Sequence, residues 1–336
     1  MLNKKIAIVG ATGAVGRVFI DLLEESEYEF QEIRLVASKK SAGKKIQFKD
    51  QDILVEDINE FNFSEVDFSF FSAGSRVAEK YAPIAKIENC TVIDNSSFFR
   101  REEEIPLIIP EVNGNILDEL VLPEIISNPN CSVTQLLIAL KPIHDLYGVK
   151  RVDVATYQSV SGTGKDAIDE LINQSLNFLS HKEIKKEVYN SQIAFNVLPG
   201  AVSNKLNNSY TEEEMKMTWE TQKILDHSVQ VTASCARVPV FYGHSEAVHV
   251  ETHKEIDITQ MCEAMKKFEG LEVVENNDDF YPTALENAEK QNPVFVGRIR
   301  KDLWNENRVN FWVVADNLRK GAALNSFQIL ERLLSK

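Results

Sequence analysis

The chain has 336 residues, 43% of them hydrophobic and 26% charged, with a formal net charge of −14. That length suits two domains or one large one with a real core, and the acidic balance argues against nucleic acid or an anionic membrane surface as main partner while leaving room for small anionic ligands. No apolar run reaches the length of a membrane span, and two lysines leading into Ile6-Ala7-Ile8-Val9 read as a first strand rather than a signal peptide, which points to a cytoplasmic chain.

Residues 5–9 read as a strand, and Gly10-Ala11-Thr12-Gly13-Ala14-Val15-Gly16 follows it, opening a helix over 16–25. Glycines at this spacing let the backbone turn tightly and approach a pyrophosphate, whose charge the helix N-terminus meets. A glycine turn without a ligand is the competing reading. A second strand over 32–37 ends in Ser38-Lys39-Lys40-Ser41. NAD binders usually carry a carboxylate there for the ribose hydroxyls. Two lysines and two serines suit a 2′-phosphate instead, so NADP is expected; the alternative is a solvated basic loop. Strands follow at 66–71, 91–94 and 105–109, with a helix at 76–85. The turn Ala73-Gly74-Ser75 offers a further backbone approach to the same ligand. Alternation of this kind implies α/β architecture, a Rossmann-type parallel sheet with right-handed crossovers.

Next, a strand-like segment over 120–126 leads through Ser127-Asn128-Pro129-Asn130-Cys131-Ser132-Val133-Thr134-Gln135 into a helix-like one at 135–140. The turn places the Cys131 thiol at the mouth of a helix. Open N–H groups and the positive end of the helix dipole favour the thiolate, the form that attacks carbonyls. A small buried core cysteine is the plainer reading. Cys90, Cys131, Cys235 and Cys262 are widely spaced, as reduced thiols would be.

From about residue 150 the pattern changes. Strands are expected at 152–158, 229–237, 247–255 and 308–315, and helices at 166–180 and 212–225. That describes a mixed or antiparallel sheet with helices, an α+β second domain. One strand ends in Tyr157-Gln158-Ser159-Val160-Ser161-Gly162-Thr163-Gly164-Lys165, another in Arg237-Val238-Pro239-Val240-Phe241-Tyr242-Gly243-His244. A last helix over 322–334, apolar at Leu324, Phe327, Ile329, Leu330 and Leu333, is expected to pack back on the first domain. The expected divisions are 1–130, 131–317 and 318–336.

Plainer explanations compete at several places. Glu220 and Lys223 are three apart on one helix and make an ordinary ion pair by themselves. Thr211-Glu212-Glu213-Glu214 reads as a capping box. His249, Glu251 and His253 share a strand face and suggest zinc, but a solvated or subunit-facing polar face accounts for them, and no metal is expected. The acidic run 275–279 reads as a surface loop.

Taken together, the Asn-Pro-Asn-Cys box, the Gln-Ser-Val-Ser-Gly loop, Arg-Val-Pro-Val with Gly-His, Asp94-Asn95-Ser96-Ser97-Phe98-Phe99-Arg100 and Asp316-Asn317-Leu318-Arg319-Lys320-Gly321 resemble the aspartate-semialdehyde dehydrogenases over almost the whole chain. The resemblance implies reduction of L-aspartyl 4-phosphate to aspartate semialdehyde with NADPH and release of phosphate, in lysine, threonine and methionine synthesis. It implies Cys131 as the nucleophile that forms an acyl-thioester, His244 as acid/base, and Gln158 as the residue orienting the intermediate. Arg237 would bind the substrate carboxylate, Glu220 its amine, and Arg100 and Lys223 phosphate, with Arg101 the alternative to Arg100. Gly10, Thr12, Gly13, Ala14, Val15, Lys40, Ser41, Ser161, Gly162 and Asn317 would contact the cofactor. Many relatives carry arginine where Lys40 stands, and lysine keeps the charge without the planar fork. A homodimer or homotetramer is implied. Two rival readings are N-acetyl-glutamyl-phosphate reductase, whose cysteine box differs, and a non-catalytic NADP-binding sensor, which would need the glycine turn but not Cys131, Gln158, Arg237 and His244 together.

Overall fold

The computed structural model describes residues 2–200, 204–274 and 281–336; the acidic run 275–279 lies outside them. The chain forms two compact units, Met1–Pro129 with Ala322–Lys336, and Asn130–Gly321.

The first unit is a doubly wound sheet. In chain order it runs β1 (Leu2–Val9), α1 (Ala14–Glu25), β2 (Phe30–Ala37), β3 (Lys45–Phe48), β4 (Gln51–Asp57), β5 (Phe68–Phe71), α2 (Ser75–Ile87), β6 (Thr91–Asp94), α3 (Pro110–Asn113), α4 (Ile116–Glu119) and β7 (Ile125–Ser127). The strand order is β3-β4-β2-β1-β5-β6-β7, parallel except for the β3–β4 hairpin. Strand alternation divides the core between two faces. Ile6, Ile8 and Phe70 join Phe19 of α1 and Phe327 and Leu330 of the C-terminal helix, Leu324–Leu334. Ala7, Val9 and Phe71 join Ala78, Ala82 and Ala85, the small residues along the buried face of α2. Phe19 stacks on Phe70 with centroids 4.1 Å apart and meets Phe327 edge-on at 6.0 Å. The last helix thus covers the same sheet face as α1.

Besides β5, which starts at Phe68 rather than at residue 66, two expected strands are shorter than the sequence suggests. Residues 105–109 contribute a single bridge, Leu107 to Ser127, because Ile109 already caps α3 and Pro110 opens it. Residues 120–126 form a strand only from Ile125, just after Pro123, whose nitrogen has no hydrogen to pair.

The second unit runs α5 (Cys131–Tyr147), β8 (Val149–Gln158), α6 (Lys165–Leu179), β9 (Leu198–Pro199), α7 (Glu212–Ile224), β10 (Gln230–Arg237), β11 (His244–Thr252), α8 (Ile258–Lys267), β12 (Leu271–Val273), β13 (Val294–Lys301) and β14 (Arg308–Ala315). Its mixed sheet has the order β12-β13-β14-β11-β8-β10-β9. Helix α5 packs on β8, β11, β13 and β14, with α7 and α8 against it. The opposite face is only partly covered among the described residues, with residues 281–285 lining a pocket beside Ser245 and Trp312. It carries Ala155, Tyr157, Ser245, Ala247 and Trp312, with the Tyr157 and Trp312 rings 5.5 Å apart. Among the described residues no helix is long and apolar enough to cross a membrane.

Phe327→Ala should cost the first unit roughly 3–5 kcal/mol, the usual loss for a large core aromatic. Denaturant unfolding followed by a probe in that unit checks this. A loss under about 1 kcal/mol would show that the C-terminal helix contributes little to that core.

Candidate active site

In the first unit the glycine turn follows β1 directly. Gly10 has φ +94°, and Gly13 N donates to Gly10 O at 2.9 Å. A Cβ on Gly16 would fall 2.3 Å from Gly10 O, so only glycine lets α1 start this close to the strand. Gly13 is the N-cap and offers no side chain to the first-turn N–H groups of α1, beside Thr12, Ala14 and Val15. A helix start whose first-turn amides receive no capping side chain fits a dinucleotide pyrophosphate. Lys40 is exposed and Ser41 half-buried in the turn after β2, closed by Ser41 N donating to Ser38 O at 2.8 Å.

Arg100 is buried in the same unit. Its Nε donates to Asn128 O at 2.9 Å and its Nη2 to Asn95 O at 3.0 Å. Arg101, the alternative, is exposed. Asn128 is held from both sides: its Nδ2 donates to Asn95 Oδ1 and its Oδ1 accepts from Asn325 Nδ2, both at 2.7 Å. The start of the cysteine box is therefore pinned by the C-terminal helix, through an asparagine that sequence reasoning passed over.

In the second unit, strand register gathers the chemistry at one end of the sheet. Gln158 and Arg237 are paired neighbours at the ends of parallel β8 and β10. His244 opens antiparallel β11, opposite Ala315 of β14, and Asn317 lies two residues beyond. Cys131 is the first residue of α5. The N–H groups that the sequence leaves open there are taken up: Asn130 Oδ1 accepts from Ser132 N at 3.0 Å and Val133 N at 3.4 Å. Asn130 N donates to Glu220 Oε2 at 2.6 Å, and Asn130 Nδ2 to Glu213 Oε1 at 2.8 Å. A Cβ on Gly321 would lie 2.7 Å from that of Cys131, so glycine there keeps the thiol's base open.

His244 is fully buried. Ser159 N donates to its Nδ1 at 3.1 Å. A backbone N–H can only donate, so the neutral ring carries its proton on Nε2. That Nε2 is buried and has no hydrogen-bond partner among the described residues. Burial and the nearby Arg237 charge push the ring down to about 3, so it is neutral at ordinary pH. Arg237 is also buried. Its Nη1 donates to Ser159 O at 2.6 Å, while its Nε has no partner among the described residues. A Cβ on Gly162 would come within 3.1 Å of Arg237 Nη1 and 3.2 Å of His244 Nε2, so both groups border one space. Gln158 Nε2 donates to Ser132 Oγ at 2.9 Å.

Asn317 Oδ1 accepts from Ser159 Oγ and Ser161 Oγ, both at 3.1 Å, and from Gly243 N at 2.9 Å. The loops after β8, β10 and β14 are locked together by this one amide. Lys223 is half-buried, one turn beyond Glu220 on α7. Thr211 and Glu214 do form the capping box. Glu213, which sequence reasoning folded into that box, instead points at the Asn130 and Gln158 amides. His249 Nδ1 lies 2.6 Å from Asn310 Oδ1 and Glu251 pairs with Lys150 at 2.7 Å. Among the described residues no three His, Cys, Asp or Glu side chains are grouped as metal ligands. The four cysteines form no disulfide.

A nucleotide-binding type of unit followed by a mixed-sheet unit is the make-up of a two-domain oxidoreductase. Residues 5–120 match the semialdehyde dehydrogenase NAD binding domain, and residues 140–320 the semialdehyde dehydrogenase dimerisation domain. Aspartate-semialdehyde dehydrogenase of Shewanella violacea is 47% identical over 330 residues, 98% of this chain and 97% of its own. The structure of aspartate semialdehyde dehydrogenase II from Vibrio cholerae, complexed with ASA, superposes with TM-score 0.97 at 44% identity over 100% and 99% of the two chains. That of the Candida albicans enzyme with NADP has TM-score 0.78 at 26% identity over 99% and 98%. The chain belongs to the aspartate-semialdehyde dehydrogenase family.

The buried histidine makes stability depend on pH. Unfolded, it takes a proton near its ordinary 6.5; folded, it resists until about 3. Between those values the unfolded chain binds more protons, so acidification lowers stability, by at most about 1.4 kcal/mol per pH unit. His244→Gln should lose less stability than the parent between pH 6.5 and 4.5. Equal losses in denaturant titrations would mean that the folded ring titrates normally.

Proposed function

We propose that this chain reduces L-aspartyl 4-phosphate to L-aspartate 4-semialdehyde, releasing phosphate, through an acyl-thioester on Cys131, with NADPH as the reductant. The observation that carries the reading is Arg237. A guanidinium buried at the end of β10, with an unpartnered Nε and no carboxylate of the described residues in salt-bridge contact, costs too much to be structural filler. A substrate carboxylate supplies the missing partner, and a two-pronged bond fixes its carbonyl in place.

Each residue then has a task. Cys131 attacks the acyl phosphate carbon as its thiolate, forming the C–S bond; the C–O bond to phosphate breaks and phosphate leaves with the electron pair. His244, neutral with its proton on Nε2, meets negative charge on the carbonyl oxygen in each tetrahedral stage. Because Nδ1 already accepts from Ser159 N, the neutral ring serves as a hydrogen-bond donor from Nε2 to that oxygen. Gln158 orients the acyl group, and Glu220 receives the substrate amine. Arg100 and Lys223 bind phosphate. A bound dinucleotide would supply the hydride equivalent that the thioester carbon takes up, and the C–S bond would then break with its electron pair returning to Cys131 as the thiolate. Gly10, Thr12, Gly13, Ala14 and Val15 would hold its pyrophosphate, Lys40 and Ser41 its 2′-phosphate, and Ser161, Gly162 and Asn317 would position its nicotinamide end. The partly exposed sheet face with Tyr157 and Trp312 is suited to contact with a second copy, in a dimer or tetramer. A cytoplasmic location suits four reduced thiols.

Two experiments test this. Mass spectrometry of the denatured protein, after mixing with acyl phosphate without reductant, should show an acyl adduct that Cys131→Ala lacks. His244→Ala should still form it, but with turnover slowed roughly 10²–10⁴-fold. An adduct persisting in Cys131→Ala would remove Cys131 as nucleophile. Separately, Lys40→Glu should raise the KM for NADP far more than that for NAD, since a carboxylate repels the 2′-phosphate. Equal losses with both cofactors would detach Lys40 from that phosphate.

A further inference from the structure

The acyl-transfer reading gives Glu213 no part, yet its carboxylate sits between two amides that matter. It lies in the first turn of α7 and is almost wholly buried. Burial alone would raise its pKa. The ammonium of Lys216, the Asn130 amide and the Arg237 guanidinium outweigh that and keep it below the ordinary carboxylate value, so it is ionised.

A carboxylate is an acceptor only, so any amide facing it must present its NH2. Oε1 accepts from Asn130 Nδ2 at 2.8 Å and lies 3.4 Å from Gln158 Nε2; Oε2 accepts from Lys216 Nζ at 3.2 Å. With Nδ2 committed, the Asn130 Oδ1 must face the other way, where it caps Ser132 N and Val133 N. A flipped Asn130 amide would set NH2 against those two N–H groups and open the helix that begins at Cys131. With Nε2 of Gln158 also committed to Ser132 Oγ, its Oε1 is the atom without a hydrogen bond among the described residues.

We propose that Glu213 is a positioning residue: it fixes which way the Asn130 and Gln158 amides face, and so sets both the cap beneath Cys131 and the face that Gln158 offers the acyl group. The inference rests on the roles given above to Cys131 and Gln158. The plainer account is that Glu213 merely pairs with Lys216 three residues on and favours the helix N-terminus, as any acidic first-turn residue does.

Polarity exchange in the full-length chain separates the two. Glu213→Gln should lower kcat roughly 10- to 100-fold, the effect of mispairing buried hydrogen-bonding groups, with the KM for NADP little changed. Asn130→Asp alone sets two carboxylates together and should lose as much. In the double variant the new amide donates to the new carboxylate, which still caps α5. Its kcat should exceed the product of the two single losses by at least about tenfold. Lys216→Gln, which removes only the ion pair, should stay near the parent. Losses that multiply in the double variant, or a Lys216→Gln enzyme as poor as Glu213→Gln, overturn the proposal. If Glu213→Gln does not fold, the double variant is compared with Asn130→Asp: higher kcat supports the inference, equal or lower kcat overturns it. Cys131→Ala run in parallel keeps the cases apart, because turnover there would strike at the nucleophile and not at Glu213.

Discussion

The second unit depends on how one side chain, Asn130, is held. Its carboxamide starts α5 by accepting from Ser132 N and Val133 N, and so sets the helix on which Cys131 is the first residue. Two buried carboxylates hold it, Glu220 on the backbone N–H and Glu213 on the side-chain NH2. Both come from α7, itself fixed by the Thr211–Glu214 capping box. A surface cap contributes about 1 kcal/mol. Here the cap is buried and its donor is tied to an ionised acceptor, so losing it would also strand charge.

Around that cap the sheet fixes the remaining groups by register. Pairing Arg237 with Gln158 across β10 and β8, and starting β11 at His244, brings three distant segments to one end of one sheet. Asn317 and Ser159 then tie their loops together, and Ser159 N selects the His244 tautomer. The ring's low proton affinity comes from burial and from the neighbouring Arg237 charge, which outweigh the Glu213 carboxylate, and the Arg237 Nε beside it has no hydrogen-bond partner among the described residues. The fold holds them in that costly state, as expected where the partner is a ligand rather than another residue.

Much of this could be read from the sequence. The glycine turn, Cys131 after Asn-Pro-Asn, and the strands ending in Gln158 and Arg237 are local patterns whose meaning does not depend on distant packing. The β3–β4 hairpin was not read, because its turn at Lys49-Asp50 has no glycine and Lys49 itself takes φ +50°. Strand β13, Val294–Lys301, was missed too, since its alternation breaks where the register to β14 shifts past Gly297. Glu213 and Asn325 were not legible as site residues. What defines each is an amide far away in the chain, Asn130 for one and Asn128 for the other. In the sequence Glu213 is one of three consecutive glutamates, and only the fold shows that it is the one turned inward.

The reaction itself is tested most directly in reverse. Purified protein given aspartate semialdehyde and NADP should form NADPH only when inorganic phosphate is present, one equivalent of phosphate being consumed per hydride transferred. That dependence follows from a thioester on Cys131 that phosphate, and not water, must cleave. NADPH formation at the same rate without phosphate, or none with it, would contradict the account.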